Sequence, residues 1–140
     1  MKCFNRQFGE IDYENEHVYE FAEGLIGFEH LRKFIVLKDP SCEPFQWLVS
    51  VEDEDISFPI LNPAVIIEDY RIVLPDENCH VAVVAALKDP VEQSTVNLRS
   101  PIVFDTVKRT GRQVVLEEEV YAIHHPLVPQ CQPAHEEQQC

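Results

Sequence analysis

The chain has 140 residues and a formal net charge of −14, because 25 acidic side chains stand against 11 basic ones. This length suits one domain with a single hydrophobic core. So large a negative charge opposes binding to a phosphate backbone, which excludes direct nucleic-acid binding as the expected function. The same charge favours encounter with a basic protein partner.

The first residues contain no apolar signal segment, and no stretch approaches the roughly 20 apolar residues of a membrane span. We therefore expect a cytoplasmic protein without a membrane partner. The five cysteines include no Cys-x-x-Cys pair, so we expect reduced thiols. Cys131, His135 and Cys140 carry zinc-ligand atoms, but their spacing on a polar tail is weak evidence for a site. Neither a metal nor a cofactor is predicted.

Alternating apolar residues, interrupted at short intervals by Gly, Pro, Asn or Asp, predict strands along most of the chain. The predicted strands are residues 3–8, 9–13, 17–21, 34–38, 45–51, 58–61, 64–67, 72–74, 80–87, 104–109 and 112–116. Residues 29–33 are predicted to form one helical turn. These elements predict an all-β fold, a small and mostly antiparallel β-barrel-like domain at residues 1–127 with a disordered tail at residues 128–140.

Three local features add to this outline. Pro101 cannot donate a hydrogen bond to a neighbouring strand, so Asn97–Pro101 is predicted to bend at a sheet edge. The hairpin at residues 104–116 is predicted to turn at Thr110-Gly111. Trp47 is the only tryptophan and is predicted to lie in the core.

Acidic residues dominate the charged positions between residues 10 and 29, where no Lys or Arg is present. We define the acidic rim as Glu10, Asp12, Glu14, Glu16, Glu20, Glu23 and Glu29. A solvated face is favoured here over a dedicated docking site. The acidic run Glu52–Asp55 lacks the spaced ligands and the glycine of a calcium loop, so an exposed turn is predicted.

No motif for catalysis is present: the sequence has no glycine-rich phosphate loop, no Gly-x-Ser-x-Gly and no His-Glu-x-x-His. Cys79 and His80 are adjacent, but neighbouring side chains on a strand point to opposite faces, which argues against a dyad. A small β-barrel enzyme or ligand carrier, with its site in the barrel mouth, remains an alternative. A deep polar pocket would favour that alternative, and a filled interior would favour a binding module.

Four segments, in the same order along the chain, resemble the FliW family of flagellar assembly factors. Thr95–Val103 resembles the family's Thr-x-Asn-Leu-x-Ala-Pro-Ile-Val signature, and Glu23–Glu29 resembles its Glu-Gly-Ile-Pro-Gly-Phe-Glu turn. Asn62-Pro63, Asp69-Tyr70 and Leu74–Asp76 are similar to an Asn/Asp-Pro, Asp-Tyr and Leu-Pro-Asp block. Gly111–Leu116 is similar to a Gly-x-Gln-Val-Val-Leu hairpin. The resemblance covers residues 3–127.

Some positions depart from the family pattern. Ile26 stands where proline is usual, Ser100 where alanine is usual, and Asp105 where asparagine is common. The segment between Asp76 and Val81 is short, which bears on any partner contact made by that loop.

The resemblance implies a non-enzymatic protein that binds flagellin and, in competition, the translational regulator CsrA. Bound flagellin frees CsrA to repress flagellin translation, and secretion of flagellin lets the protein sequester CsrA again. The residues expected to contact these partners are Asn62, Pro63, Glu68, Asp69, Tyr70, Asn97, Arg99 and Pro101. They interrupt apolar strands with polar groups, although the same positions also suit bulges and turns of a barrel.

Overall fold

The computed structural model describes residues 1–70, 72, 74–117 and 121–128. The strands are β1 (Lys2–Asn5), β2 (Gly9–Asp12), β3 (Tyr19–Glu20), β4 (Lys33–Lys38), β5 (Gln46–Ser50), β6 (Ser57–Leu61), β7 (Cys79–Ala86), β8 (Thr95–Val96), β9 (Ile102–Asp105), β10 (Thr110–Gln113) and β11 (His125–Pro126). Short 3₁₀ turns lie at Asn15–His17, Pro40–Cys42, Pro63–Val65 and Val91–Gln93. The all-β prediction is confirmed.

Seven of these strands close into a barrel in the order β7-β6-β5-β4-β3-β10-β9, and β9 pairs with β7 to complete the ring. All pairs around the ring are antiparallel except β3 with β10. β8 pairs antiparallel with the end of β7 and with β11, while β1 and β2 form a separate hairpin. The predicted antiparallel barrel is therefore confirmed.

The core lies inside the barrel because alternate side chains of each strand point inward. On β4, Phe34 is fully buried inside the barrel, whereas its neighbour Ile35 packs on the outside. The rings of Phe21, Phe34 and Phe104 meet edge to face, with centroids 5.2 Å and 5.9 Å apart. The middle of the barrel is thus filled with side chains, which favours a binding module.

The β1–β2 hairpin covers one outer face of the barrel. Ile11 of this hairpin packs with Ile35 and Val49. Trp47 belongs to the same outer cluster, with its ring centroid 5.4 Å from that of Phe8. It is half-buried here rather than inside the barrel, because its neighbour Leu48 takes the inward position.

A second outer cluster packs behind β7 and β8. Its buried members are Leu61, Val83, Ala85, Val96 and Leu98. Half-buried side chains from the segments before β7 and around β11 cover it, namely Phe45, Ile66, Ile67, Tyr70, Tyr121 and Leu127. The barrel therefore carries apolar packing on both sides of its wall.

The predicted strand at residues 64–67 is wrong, because Pro63–Val65 form a 3₁₀ turn instead. Asn62 caps this turn: its side-chain oxygen accepts the backbone N–H of Ala64 at 2.9 Å. The predicted strand at residues 72–74 lies partly outside the described residues, and neither described position in it is in a strand.

The hairpin at residues 104–116 is confirmed, but its predicted turn at Thr110-Gly111 is wrong. β9 ends at Asp105 and β10 begins at Thr110, so the turn spans residues 106–109. The Asp105 side chain sets this turn by accepting the backbone N–H groups of Val107 at 3.0 Å and Lys108 at 2.9 Å.

The predicted helical turn at residues 29–33 is also wrong, because residues 29–30 form a non-helical turn and β4 starts at Lys33. Of the predicted tail, residues 129–140 lie outside the described part of the chain. In the part that is described, no helix has the length and apolar character needed to cross a membrane.

Candidate partner-binding surface

The first predicted block, residues 62–70, is built by the capped 3₁₀ turn. Pro63 is buried and occupies the first position of the turn, where its missing N–H costs nothing. Asn62 is exposed, although its side chain is committed to the cap. Both residues therefore have a structural role in shaping the block.

The second predicted block, residues 97–101, forms the expected bend. The Asn97 side chain accepts the backbone N–H groups of Arg99 at 3.1 Å and Ser100 at 3.0 Å. The guanidinium Nε of Arg99 donates to the carbonyl of Leu116 at 3.1 Å. Pro101 is buried. The polar side chains that interrupt this strand pattern therefore form hydrogen bonds with backbone groups in and beside the bend.

Tyr70 brings the two blocks together. Its hydroxyl donates to the carbonyl of Leu98 at 2.6 Å, and its ring centroid lies 4.5 Å from that of Tyr121. Burial, with a smaller contribution from Tyr121, raises the pKa of Tyr70 to about 12. We call residues 62–70 and 97–101 together the Tyr70 surface.

Glu68 and Asp69 are the two predicted contact residues on this surface without a structural role. Both are exposed, and neither takes part in a hydrogen bond or ion pair found among the described residues. An exposed carboxylate pair beside a rigid bend can accept charge-assisted hydrogen bonds from a basic partner without first breaking an internal contact. These two side chains are therefore the strongest candidates for recognition on the Tyr70 surface.

An apolar groove of about 480 Å³ lies beside this surface and was not predicted from the sequence. It is lined by Leu25, Ile26 and Phe28 of the turn after β3, by the end of β7, and by Asn97. Ile26 is 57% exposed there. The sequence indicated only one wall of this groove, through the apolar pair Leu25-Ile26 between two glycines. The other wall could not be predicted, because its residues come from distant strands.

Asp76, Cys79 and Asp105 bring possible metal-ligand atoms within 4.8 Å of one another. Burial raises the pKa of the Cys79 thiol, which disfavours the thiolate that a cysteine nucleophile requires. Asp105 already accepts two backbone N–H groups of its turn. Cys79 is buried while His80 is exposed, as strand alternation predicts, so these two residues form no dyad.

A family model described as "FliW protein" matches residues 2–127. The chain belongs to the FliW family. A relative from Thermosipho africanus, named flagellar assembly factor FliW, is 40% identical over 89% of this chain and 94% of its own. A relative of the same name from Caldicellulosiruptor saccharolyticus is 37% identical over 88% of each chain.

A crystal structure of the flagellar assembly factor FliW has the same fold. It superposes with a TM-score of 0.85 at 28% identity and covers 93% of this chain and 99% of that one. The resemblance first seen in the four motifs is thereby confirmed. The FliW name does not denote an enzyme family, and these comparisons give no support to the enzyme alternative.

Three of the FliW motifs meet at Gln113. Its side-chain oxygen accepts the backbone N–H of Ile26 at 2.9 Å, and its side-chain nitrogen donates to the carbonyl of Ser100 at 3.0 Å. Gln113 therefore joins the glycine turn, the bend at residues 97–101 and the hairpin. Sequence reasoning quoted this residue only as part of a motif and did not assign it this role.

The three departures from the FliW pattern fall in different environments, because Ile26 is exposed, Asp105 is half-buried and Ser100 is buried. Ile26 is exposed in the apolar groove, and Ser100 contacts Gln113 only through its backbone carbonyl. Asp105 makes a turn that an asparagine oxygen also makes. None of them alters how the barrel closes.

Proposed function

We propose that this chain acts in flagellar assembly as a non-enzymatic partner switch that binds flagellin and the translational regulator CsrA in turn. The observation that carries the proposal is membership of the FliW family over residues 2–127. Free flagellin occupies the protein and releases CsrA, which represses flagellin translation. Export of flagellin empties the protein, which then sequesters CsrA again.

The charge of the chain supports this choice of partner. A regulator that binds RNA must itself present basic groups to phosphates, and a protein of net charge −14 attracts such a surface. All seven carboxylates of the acidic rim are on exposed residues. Attraction of this kind acts mainly on the rate of association and is screened over about 8 Å at physiological salt.

The geometry of the Tyr70 surface supports it as the contact site. The backbone there is held by Asn97, Tyr70 and the capped turn, so little ordering is needed when a partner binds. Glu68 and Asp69 stand exposed on this fixed support. A partner with basic side chains at matching positions gains two charge-assisted contacts.

Mutual exclusion requires only that the two partners bind competing states or overlapping surfaces of one protein. Each partner then raises the apparent dissociation constant of the other. Overlap at the Tyr70 surface is the simplest arrangement, because no conformational change has to be added to the fixed barrel.

The test is calorimetric titration with each partner separately, using two double variants that change the net charge equally. Glu68→Lys/Asp69→Lys reverses charge on the Tyr70 surface, and Glu16→Lys/Glu23→Lys reverses it on the acidic rim. We expect the variant at residues 68 and 69 to weaken the affinity for each partner at least tenfold, which is about 1.4 kcal/mol. The variant on the acidic rim should change the affinity little, because attraction by exposed charges acts mainly on the association rate. Equal loss from both variants would show general attraction without a specific site at residues 68–69. Wild-type protein that bound neither partner would contradict the proposed function itself.

A further inference from the structure

One end of the barrel opens onto a cavity, and we call this end the barrel mouth. Strands β4, β6 and β9 finish there, and β5, β7 and β10 begin there, so residues from distant parts of the chain surround a cavity of about 630 Å³. Protein pockets for small ligands typically measure about 300–1,000 Å³. The opposite end is covered by the turn that carries Leu25 and Phe28.

The lining of the barrel mouth holds basic side chains in a strongly anionic protein, and two of them, Lys38 and Arg109, carry a full positive charge. Lys38, His80, Arg109 and His17 line it, and no Asp or Glu is among its described lining residues, although the chain holds 25 acidic side chains. Five acidic residues adjoin lining residues in sequence, namely Glu16, Glu20, Asp39, Glu43 and Asp105. The Asp39 carboxylate accepts hydrogen bonds from the backbone N–H and the hydroxyl of Ser41. The Asp105 carboxylate accepts the backbone N–H of Val107 in the turn that follows it. Among the described residues, neither Lys38 nor Arg109 forms an ion pair with any of these acids.

Arg109 is the fixed element of this lining. Its guanidinium stacks on the Tyr19 ring at 3.8 Å and donates to the Tyr19 hydroxyl at 3.0 Å and to the carbonyl of His17 at 2.9 Å. Both acceptors are uncharged, and among the described residues the guanidinium forms no ion pair. Its Nε is buried without an acceptor. The residue also holds a φ of +55°, a strained conformation for a side chain of this size.

Three further basic side chains of the mouth, His17, Lys38 and His80, can donate hydrogen bonds. The Nδ1 of His17 accepts the backbone N–H of Glu14 at 3.1 Å, so its Nε2 carries the proton. Lys38 and His80 are exposed at the rim of the cavity. The floor is apolar and includes Val36 and Phe104. This arrangement sets donors around the opening and hydrocarbon beneath it.

We propose that the barrel mouth binds a small organic acid, with its carboxylate against Arg109 and Lys38 and its apolar body on the floor of the cavity. A guanidinium and an ammonium recognise carboxylate and phosphate alike, but an apolar floor gives an inorganic anion nothing to contact. The carboxylate also gives Arg109 the counter-ion that the protein itself does not supply. This site borders the Tyr70 surface at Asn62, which also lines the cavity, and it goes beyond the proposed partner switch.

The test is titration of the ¹⁵N-labelled full chain with benzoate, benzyl alcohol and inorganic phosphate, followed by amide chemical shifts. We expect saturable benzoate binding with shifts confined to the mouth, around Tyr19, His80 and Arg109. Benzyl alcohol has the same ring without the charge and should bind at least tenfold more weakly. Phosphate should also bind more weakly than benzoate.

Two variants complete the test without disturbing the fold. Lys38→Met removes an exposed charge of the mouth and should weaken benzoate binding about tenfold, whereas Lys88→Met, at an exposed lysine that does not line the mouth, should leave it unchanged. Absence of saturable benzoate binding, equal affinity for benzyl alcohol, or shifts outside the mouth would overturn the proposal. Equal or tighter binding of phosphate would overturn the organic-acid assignment. Loss of flagellin or CsrA binding is a separate result, because Lys38 lies outside the Tyr70 surface.

Discussion

At the scale of single residues, Gly111 shows how tightly the core fits. It lies inside β10 with its Cα facing the ring of Phe21, and a Cβ added there would come within 2.7 Å of Cε2 of that ring. Phe21 is fully buried, and its ring packs edge to face against Phe34 and Phe104. We expect Gly111→Ala to lower the free energy of unfolding by about 1–3 kcal/mol, measured by urea denaturation.

A double variant serves as the control for Gly111. Phe21→Leu removes part of the ring, so Phe21→Leu/Gly111→Ala should be less destabilised than the sum of the two single variants. If the two effects simply add, the contact between ring and backbone is not the reason that glycine occupies position 111.

Tyr70 gives a prediction about pH. Because burial raises the pKa of its hydroxyl to about 12, the folded protein keeps this proton at pH values where the unfolded chain has lost it. The stabilisation is complete below the unfolded pKa of about 10 and is lost as the pH rises towards 12. Tyr70→Phe should therefore show a smaller fall in stability between pH 10 and 12 than the wild type, although it is less stable at pH 7. Parallel stability curves for the two proteins would contradict this assignment.

At the scale of elements, Gln113 connects three segments that are far apart in sequence. Gln113→Ala removes the acceptor of the Ile26 N–H and the donor to the Ser100 carbonyl. We expect a loss of about 1–2 kcal/mol in stability and faster hydrogen exchange at the Ile26 amide. Gln93→Ala, at an exposed position in a 3₁₀ turn, is the matched control and should change neither. Unchanged exchange at Ile26 in Gln113→Ala would show that the glycine turn holds itself in place.

Local sequence patterns predicted most strands but misplaced some turns. Alternation identified the strand at residues 34–38, which the structure extends by one residue to Lys33. At residues 64–67 the apolar side chains led to a wrong strand prediction. The Asn62 cap and Pro63 start a 3₁₀ turn there, and the apolar residues that follow pack on an outer cluster. Gly111 was assigned to a turn, whereas its small size serves the packing of Phe21.

Contacts between distant segments could not be predicted from local patterns. The parallel pairing of β3 with β10 joins Glu20 to Thr110, and the pairing of β7 with β9 closes the barrel. For the same reason the stacking of Arg109 on Tyr19 could not be predicted from the hairpin sequence alone. The contact of Tyr70 with Leu98, which joins the two predicted blocks, likewise depends on the folded barrel.

At the scale of the whole molecule, the barrel separates two kinds of surface. The Tyr70 surface and the acidic rim present carboxylates to solvent, while the lining of the barrel mouth includes Lys38 and Arg109 and no acidic residue among those described. A filled, closed barrel keeps these surfaces at fixed positions, so binding at one does not require the fold to open. This division fits a protein that exchanges macromolecular partners on its outer wall.

The partner switch is tested most directly by titrating flagellin into the preformed complex of this protein with CsrA, with reductant present because Cys3 and Cys42 are only partly buried free thiols. We predict that flagellin displaces CsrA and that the apparent dissociation constant for flagellin rises in proportion to the CsrA concentration. Size-exclusion chromatography of the same mixture should contain only the two binary complexes. Binding of flagellin at unchanged affinity, with a ternary complex in the eluate, would contradict the account.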